Sequence, residues 1–189
     1  MDSETHVPWP GWTSRKTLVL PIPADRWTPP RAPVTIDAIT FMPKRELHVT
    51  LISRGLGQVL HGAPGERGQR AAVRAAFEAL DWEIHRTGER LRLEKRELSG
   101  GRAIGAIIER IEMPAMTEFY EALAQLLGRT LAIPPPHVTL YTTPRSQGLA
   151  LPDAATLRRL TVREVAASEL SASASGRVSA DASRPHARH

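Results

Sequence analysis

A four-residue segment occurs twice in this chain and constrains its fold more than any other feature. His48-Val49-Thr50-Leu51 and His137-Val138-Thr139-Leu140 are identical, and they lie in the first and last thirds of the 189-residue sequence. β-Branched residues are frequent in and around both segments, so each is predicted to be a strand. A strand motif repeated within so short a chain indicates two similar units that face each other.

The alternation of side chains along a strand decides which residues of each segment act together. Residues i and i+2 point to the same face, so His48 and Thr50 share one face, as do His137 and Thr139. If the two strands meet across a groove, two imidazoles and two hydroxyls converge. Imidazoles of pKa ~6.5 divide acid and base roles at neutral pH, and hydroxyls donate hydrogen bonds to phosphate oxygens. The pattern therefore predicts phosphodiester chemistry that needs no metal or other cofactor.

The two motifs also carry a family resemblance. Each motif has the pattern apolar-His-x-Thr-apolar. Two copies of this pattern at this separation resemble the 2H phosphoesterase superfamily, which includes 2′-5′ RNA ligase-like proteins and cyclic nucleotide phosphodiesterases. The resemblance covers roughly residues 16–166. It implies a bilobal α+β fold, with two antiparallel sheets and outer helices around a central cleft.

The same resemblance implies an activity and a set of site residues. The activity is metal-independent hydrolysis of 2′,3′-cyclic phosphates or 2′-5′ phosphodiester bonds in RNA or nucleotides, with reversible 2′-5′ joining of RNA ends in some relatives. His48 and His137 would be the catalytic acid–base pair, and Thr50 and Thr139 would bind the phosphate. Which histidine is the acid stays open, because the two motifs are alike.

Three further residues are candidates for substrate contacts. Arg54 and Arg145 follow the two motifs at similar distances and would attract an anionic substrate. The alternative is that both are ordinary surface arginines exposed to solvent. Tyr141 is expected on the face of the second motif's His and Thr, where it would stack on a base or simply close the groove wall. Glu46 is the one carboxylate near either motif that would complete a metal site with the histidines, and we favour no metal.

Two other functions stay open at this point. A catalytically silent module of the same fold would bind RNA ends or a nucleotide without forming product. An interaction scaffold would use the Arg-rich tail and the Trp-containing arm as contact surfaces. A single histidine in an apolar strand is usually structural. The duplication of the whole motif favours the enzyme.

The composition restricts the remaining classes of protein. The chain has no cysteine, which excludes disulfides, thiolate catalysis and cysteine-based metal centres. Its net charge is +5 and Arg far outnumbers Lys, which favours a phosphorylated or nucleic-acid partner, although a GC-rich genome produces the same bias. The RNA ends or small nucleotides expected as partners are what the family resemblance implies. The sequence has neither a secretory signal nor an apolar run of the ~20 residues that span a membrane. We expect a cytoplasmic protein without membrane contacts, and the oligomeric state stays open.

The remaining patterns predict the domain organisation. Residues 1–15 are predicted to form an irregular arm anchored by Trp9 and Trp12, residues 16–170 one phosphoesterase domain, and residues 171–189 a disordered tail. The predicted strands cover residues 16–23, 34–42, 47–53, 103–111, 137–143 and 160–166, with a hairpin at 81–98. The predicted helices cover residues 66–80, 114–127 and 153–160, while 55–65 is a predicted loop and 99–101 a predicted turn.

Overall fold

Eight strands and five helices are present in the computed structural model, which describes residues 7–62, 65–96, 103–144 and 148–172. The strands are β1 (Leu18–Ile22), β2 (Val34–Ile36), β3 (Ile39–Pro43), β4 (Leu47–Ile52), β5 (His85–Lys95), β6 (Ile104–Glu112), β7 (His137–Thr142) and β8 (Thr161–Glu164). The helices are α1 (Arg54–Gly62), α2 (Glu66–Glu78), α3 (Ala115–Leu127), α4 (Ala154–Leu160) and α5 (Ala167–Ala172). The predicted α+β class is confirmed. The bilobal arrangement with two separate sheets stays a prediction.

Hydrogen bonds join the strands into one antiparallel network. Its main path runs β1-β4-β7-β6-β5-β8, and β3 pairs with β2 and with the end of β7. The two strands that carry the repeated motifs, β4 and β7, are therefore neighbours inside the path, while β1 and β8 are its edges. No helix in the described ranges is long and apolar enough to cross a membrane.

Two hydrophobic clusters lie on opposite faces of β6. Ile107 and Ile111 belong to the larger cluster, whereas Ala106 and Ile108 belong to the smaller one, as alternation along a strand requires. The larger cluster includes side chains from three helices: Leu60 of α1, Val73 and Phe77 of α2, and Phe119 and Leu123 of α3. The smaller cluster includes Leu157 and Leu160 of α4. Helices α1 to α3 thus pack on one face, and α4 packs on the other.

Two tryptophans attach the segment before β1 to this core. Trp9 packs edge-on against Phe77 with 5.2 Å between ring centroids, and Trp12 packs edge-on against His61 at 4.6 Å. Trp12 also forms an isolated antiparallel bridge with Leu18. Aromatic packing therefore holds this irregular segment beside α1 and α2.

Several elements form where the sequence predicts them, for identifiable local reasons. Strands β1, β4, β6, β7 and β8 and helices α2, α3 and α4 overlap their predicted ranges. Helix α3 ends at Gly128, whose φ of 62° is the left-handed conformation that glycine adopts without strain. Asp153 caps α4 by accepting a hydrogen bond of 2.6 Å from the backbone N–H of Thr156.

The predicted strand at residues 34–42 is wrong, because it is a hairpin of β2 and β3. Asp37 and Ala38 form the turn with φ values of 50° and 61°, and an alanine at positive φ gives no sequence signal for a turn. Strands β3 and β4 follow each other in the sequence, but they do not pair with each other. Both instead pair with β7.

Two further predictions are corrected in the middle of the chain. The predicted loop at residues 55–65 contains helix α1, whose apolar Leu56, Val59 and Leu60 have helical spacing despite three glycines. The predicted hairpin at 81–98 is instead the single strand β5. Thr87 and Gly88, near the middle of the predicted hairpin, lie in a bulge instead of a turn. Three residues separate Arg86, which pairs with Ile111, from Arg90, which pairs with Glu109.

Some sequence predictions fall outside the described residues. These are the start of the arm at residues 1–6, the turn at 99–101, the candidate substrate contact Arg145, and the tail beyond residue 172. The first residues of the predicted tail, Ser171 and Ala172, form the end of α5.

Candidate active site

The two motifs meet where β4 lies beside β7. Val49 pairs with Val138 in antiparallel register, and both side chains are fully buried. The histidines and threonines alternate with these valines, so they point to the other face. Continuing the register by one residue in each direction sets each histidine opposite the other motif's threonine. These pairs are His48 with Thr139, and Thr50 with His137.

All four motif side chains line one cleft of about 660 Å³. Its volume is within the range of small-molecule sites. Its walls come from the segment before β1, the start of α1, the segments 129–134 and 148–152, and the two motif strands. Three arginines line it, Arg15, Arg54 and Arg129, and no Asp or Glu is among the described lining residues. The cleft is therefore positively charged and favours an anionic ligand.

The ring of His137 is oriented by the backbone. Its Nδ1 lies 2.8 Å from the carbonyl oxygen of Pro135. A carbonyl only accepts hydrogen bonds, so Nδ1 carries a proton and donates it, and the neutral ring keeps its lone pair on Nε2. Burial lowers the pKa of His137 and the nearby His48 lowers it further, whereas the hydrogen bond to Pro135 opposes these effects. The lowered pKa of His137 favours the neutral imidazole, in which the free nitrogen is Nε2.

His48 has a different environment. Burial lowers its pKa, the positive charge of Lys44 lowers it further, and the carboxylate of Glu46 raises it. Among the described residues, no protein group forms a hydrogen bond with its ring. Both of its ring nitrogens are thus left for a ligand, and the two histidines, identical in their motifs, are not equivalent in the fold.

Tyr141 does not join the cleft, because β7 contains a bulge. Thr139 pairs with Ile108 and Tyr141 pairs with Ile107, so Leu140 is an extra residue and the simple alternation ends there. Tyr141 packs in the larger hydrophobic cluster with 5% of its surface exposed. The expected face of Tyr141 is therefore corrected.

The sequence predicts only one of the three arginines that are found in the described lining of the cleft. Arg54 lines the cleft, as expected from its place after the first motif, and Arg145 lies outside the described residues. Arg15 and Arg129 also line it. Arg129 follows Gly128, the residue that ends α3, and this position gave no functional signal. Only the tertiary fold brings these two arginines beside the motifs.

A metal site at the two histidines would need a carboxylate as a third ligand, and no carboxylate is among the described residues that line the cleft. Glu46 lines a neighbouring groove instead of the cleft. Within the described ranges no group of three or more His, Asp or Glu side chains has the arrangement of a metal site.

Comparisons with known proteins add no relative. No protein-family model matches the chain, and no curated protein or solved structure is significantly similar to it. The resemblance to the 2H phosphoesterase superfamily rests on the two motifs.

Proposed function

We propose that this protein is a metal-independent phosphodiesterase of the 2H type, with the bilobal fold of that superfamily. Its substrates are 2′,3′-cyclic phosphates or 2′-5′ phosphodiester bonds of RNA or nucleotides, and the reverse of cleaving a 2′-5′ bond is the 2′-5′ joining of RNA ends. One observation carries the proposal. Two histidines and two threonines from distant parts of the sequence line a single cleft that also contains three arginines.

The environments of the histidines support a division of roles. His137 is the general base, because its Nδ1–H is held by Pro135 and its Nε2 lone pair accepts a proton from the attacking water. The water oxygen bonds to phosphorus as the bond to the ribose oxygen breaks. His48 in its protonated form donates a proton to that leaving oxygen. After the reaction His137 has gained one proton and His48 has lost one, so exchange of protons with solvent restores both histidines for the next turnover.

The remaining groups of the cleft stabilise charge. The hydroxyls of Thr50 and Thr139 donate hydrogen bonds to the non-bridging phosphate oxygens, where negative charge increases in the transition state. Arg54 and Arg129 attract the phosphate into the cleft. Donors of this kind, fixed before the substrate arrives, replace the charge stabilisation that water or a cation would give.

The test is turnover by purified protein in the presence of EDTA. The substrates are the four nucleoside 2′,3′-cyclic phosphates and a 2′-5′-linked dinucleotide, compared between wild type, His48→Ala and His137→Ala. We expect each variant to lose about 10²-fold to 10⁴-fold in kcat, because each removes one proton-transfer group. His85→Ala is the matched control, since His85 is exposed on β5 and pairs with Glu83 away from the cleft.

The outcomes separate the enzyme from the alternatives. Turnover that both motif variants retain would refute the proposal. Tight binding of these nucleotides without product, in wild type and variants alike, would favour the catalytically silent binding module.

A further inference from the structure

His48 borders two spaces at once. One is the cleft of about 660 Å³, and the other is a groove of about 490 Å³ that is also lined by His48. This second space, called here the turn groove, is lined by His48, by Met42 and Pro43 at the end of β3, by residues 44–46 of the β3–β4 turn, and by Thr142, Thr143 and Pro144 at the end of β7. Among the described residues the two spaces share no other lining residue, so they meet at the proposed catalytic acid.

The turn groove is firmly attached to the motif strands. Met42 and Pro43 pair with Thr142 and Tyr141 of β7, and the backbone N–H of Lys44 donates a hydrogen bond of 2.8 Å to the carbonyl oxygen of Leu140. The β3–β4 turn therefore has a fixed position relative to His137 and Thr139 on the same strand. The backbone that carries Lys44 and Arg45 is therefore held beside the motif strands.

The charge and surface of the groove suit a nucleotide. Lys44 and Arg45 supply two cations against one carboxylate, Glu46. The charge of Lys44 is close enough to lower the pKa of His48. Met42, which is 42% exposed, forms an apolar wall together with two prolines. Cations beside an apolar wall match a phosphate beside a ribose or base.

The position of the leaving oxygen in the proposed reaction indicates which nucleotide would lie in the turn groove. With a 2′,3′-cyclic phosphate as substrate, His48 in the proposed function protonates the leaving 2′ or 3′ oxygen, so the ribose of the reacting nucleotide lies on the His48 side of the phosphorus. An RNA chain continues from the 5′ carbon of that ribose. Its path out of the cleft leads past His48.

We propose that the turn groove is a second nucleotide subsite, which binds the nucleotide 5′ to the reacting one and holds the intervening phosphate on Lys44 and Arg45. The substrate class is therefore the end of an RNA chain, and mononucleotides are poorer substrates. This inference rests on the proposed function.

The test compares a nucleoside 2′,3′-cyclic phosphate with the same nucleotide extended by one nucleotide on its 5′ side. The measured quantity is the ratio of the two kcat/KM values, because effects on the chemistry itself cancel in the ratio. We expect wild type to favour the dinucleotide by about tenfold, the effect of one charge-assisted phosphate contact. The variant Lys44→Gln/Arg45→Gln should lose most of this preference, and Lys44→Arg should keep it.

The control variant is judged by the same ratio of kcat/KM values, and so are the results that would contradict the subsite. Arg31→Gln/Arg158→Gln removes two exposed positive charges outside both spaces and should leave the ratio unchanged. A wild-type ratio near one, or an equal ratio in Lys44→Gln/Arg45→Gln and wild type, would overturn the subsite.

A binding measurement keeps the subsite testable if the proposed function fails. If wild type turns over neither substrate, calorimetric titration with a nucleoside 3′-phosphate and with its 5′-extended dinucleotide gives the ratio of the two affinities. Preference for the dinucleotide that is lost in Lys44→Gln/Arg45→Gln would support the subsite without catalysis. Equal affinities would refute it.

Discussion

Val49 lies directly opposite Val138, and this buried pair is the point at which β4 and β7 are joined. The register that it sets places the motifs antiparallel, so each histidine is adjacent to the threonine of the other motif and not only to its own. Cβ atoms directly opposite each other are ~4.5–5.5 Å apart, closer than those of residues i and i+2 on one strand. The site is therefore built crosswise from both motifs.

The crosswise arrangement predicts which threonine affects which histidine. Thr139→Val replaces a hydroxyl next to His48 by a methyl group, which reduces the solvation of the imidazolium and should lower the pKa of His48 more than that of His137. Thr50→Val should have the reverse effect. NMR titration of the two imidazoles measures both pKa values. Larger effects of each threonine on the histidine of its own motif would contradict the register.

The pH dependence of catalysis follows from the lowered pKa values of both histidines. In the proposed mechanism the active form has His137 neutral and His48 protonated. Activity is therefore lost below the pKa of His137 and above that of His48, and both values lie below the ordinary 6.5. We expect a bell-shaped profile of kcat/KM for a cyclic phosphate with its maximum below pH 6.5. A maximum at neutral or alkaline pH would contradict these roles.

Two variants should move the alkaline limb of this profile in opposite directions. Lys44→Gln removes a positive charge that lowers the pKa of His48, so the limb should move to higher pH. Glu46→Gln removes a negative charge that raises it, so the limb should move to lower pH. Shifts of the same sign in both variants would show that this limb does not report His48. The two histidines interact, so the fitted values belong to the pair.

The sequence predicts the strands that carry the two motifs, but it does not predict most of the other residues that line the cleft. Alternation around His48 and His137 is a local property of a strand, and the structure places both motifs in strands as expected. The bulge at Leu140 is not visible in the sequence, and it turns Tyr141 into the core. Arg15 and Arg129 reach the cleft through tertiary packing, which no local pattern encodes. The hairpin at Asp37-Ala38 was missed for a different reason, since its turn lacks glycine and asparagine.

Gly57 lies where α1 touches the segment before β1, and this contact predicts a stability difference between two glycines. A Cβ at Gly57 would collide with the carbonyl oxygen of Lys16, whereas a Cβ at Gly55 would meet no atom within 4 Å. Gly57→Ala should therefore destabilise the protein by about 2 kcal/mol through overpacking. Gly55→Ala, in the same helix, should stabilise it by up to about 1 kcal/mol. Urea unfolding measures both changes, and equal effects would refute the contact.

Glu109 is a fully buried carboxylate on β6, directly opposite Val138. Its replacement by an uncharged residue is predicted to destabilise the protein. Its two oxygens accept hydrogen bonds of 2.8 and 2.9 Å from Arg86, and Arg90 lies 3.0 Å from one of them. The guanidinium of Arg86 also lies 3.9 Å from the centre of the Trp27 ring. Both cations are thus held against the sheet by one negative charge.

Removing that charge leaves the two guanidinium groups without their buried partner. Glu109→Gln should destabilise the protein by about 3 kcal/mol, at the lower end for broken buried ion pairs, because Arg86 is half exposed and can turn to solvent. Glu112→Gln is the control, since Glu112 is exposed on the same strand and should change stability by less than about 0.5 kcal/mol. Urea unfolding with an unchanged m value measures the difference. Equal stabilities of the two variants would mean that the Glu109 ion pairs contribute nothing to the fold.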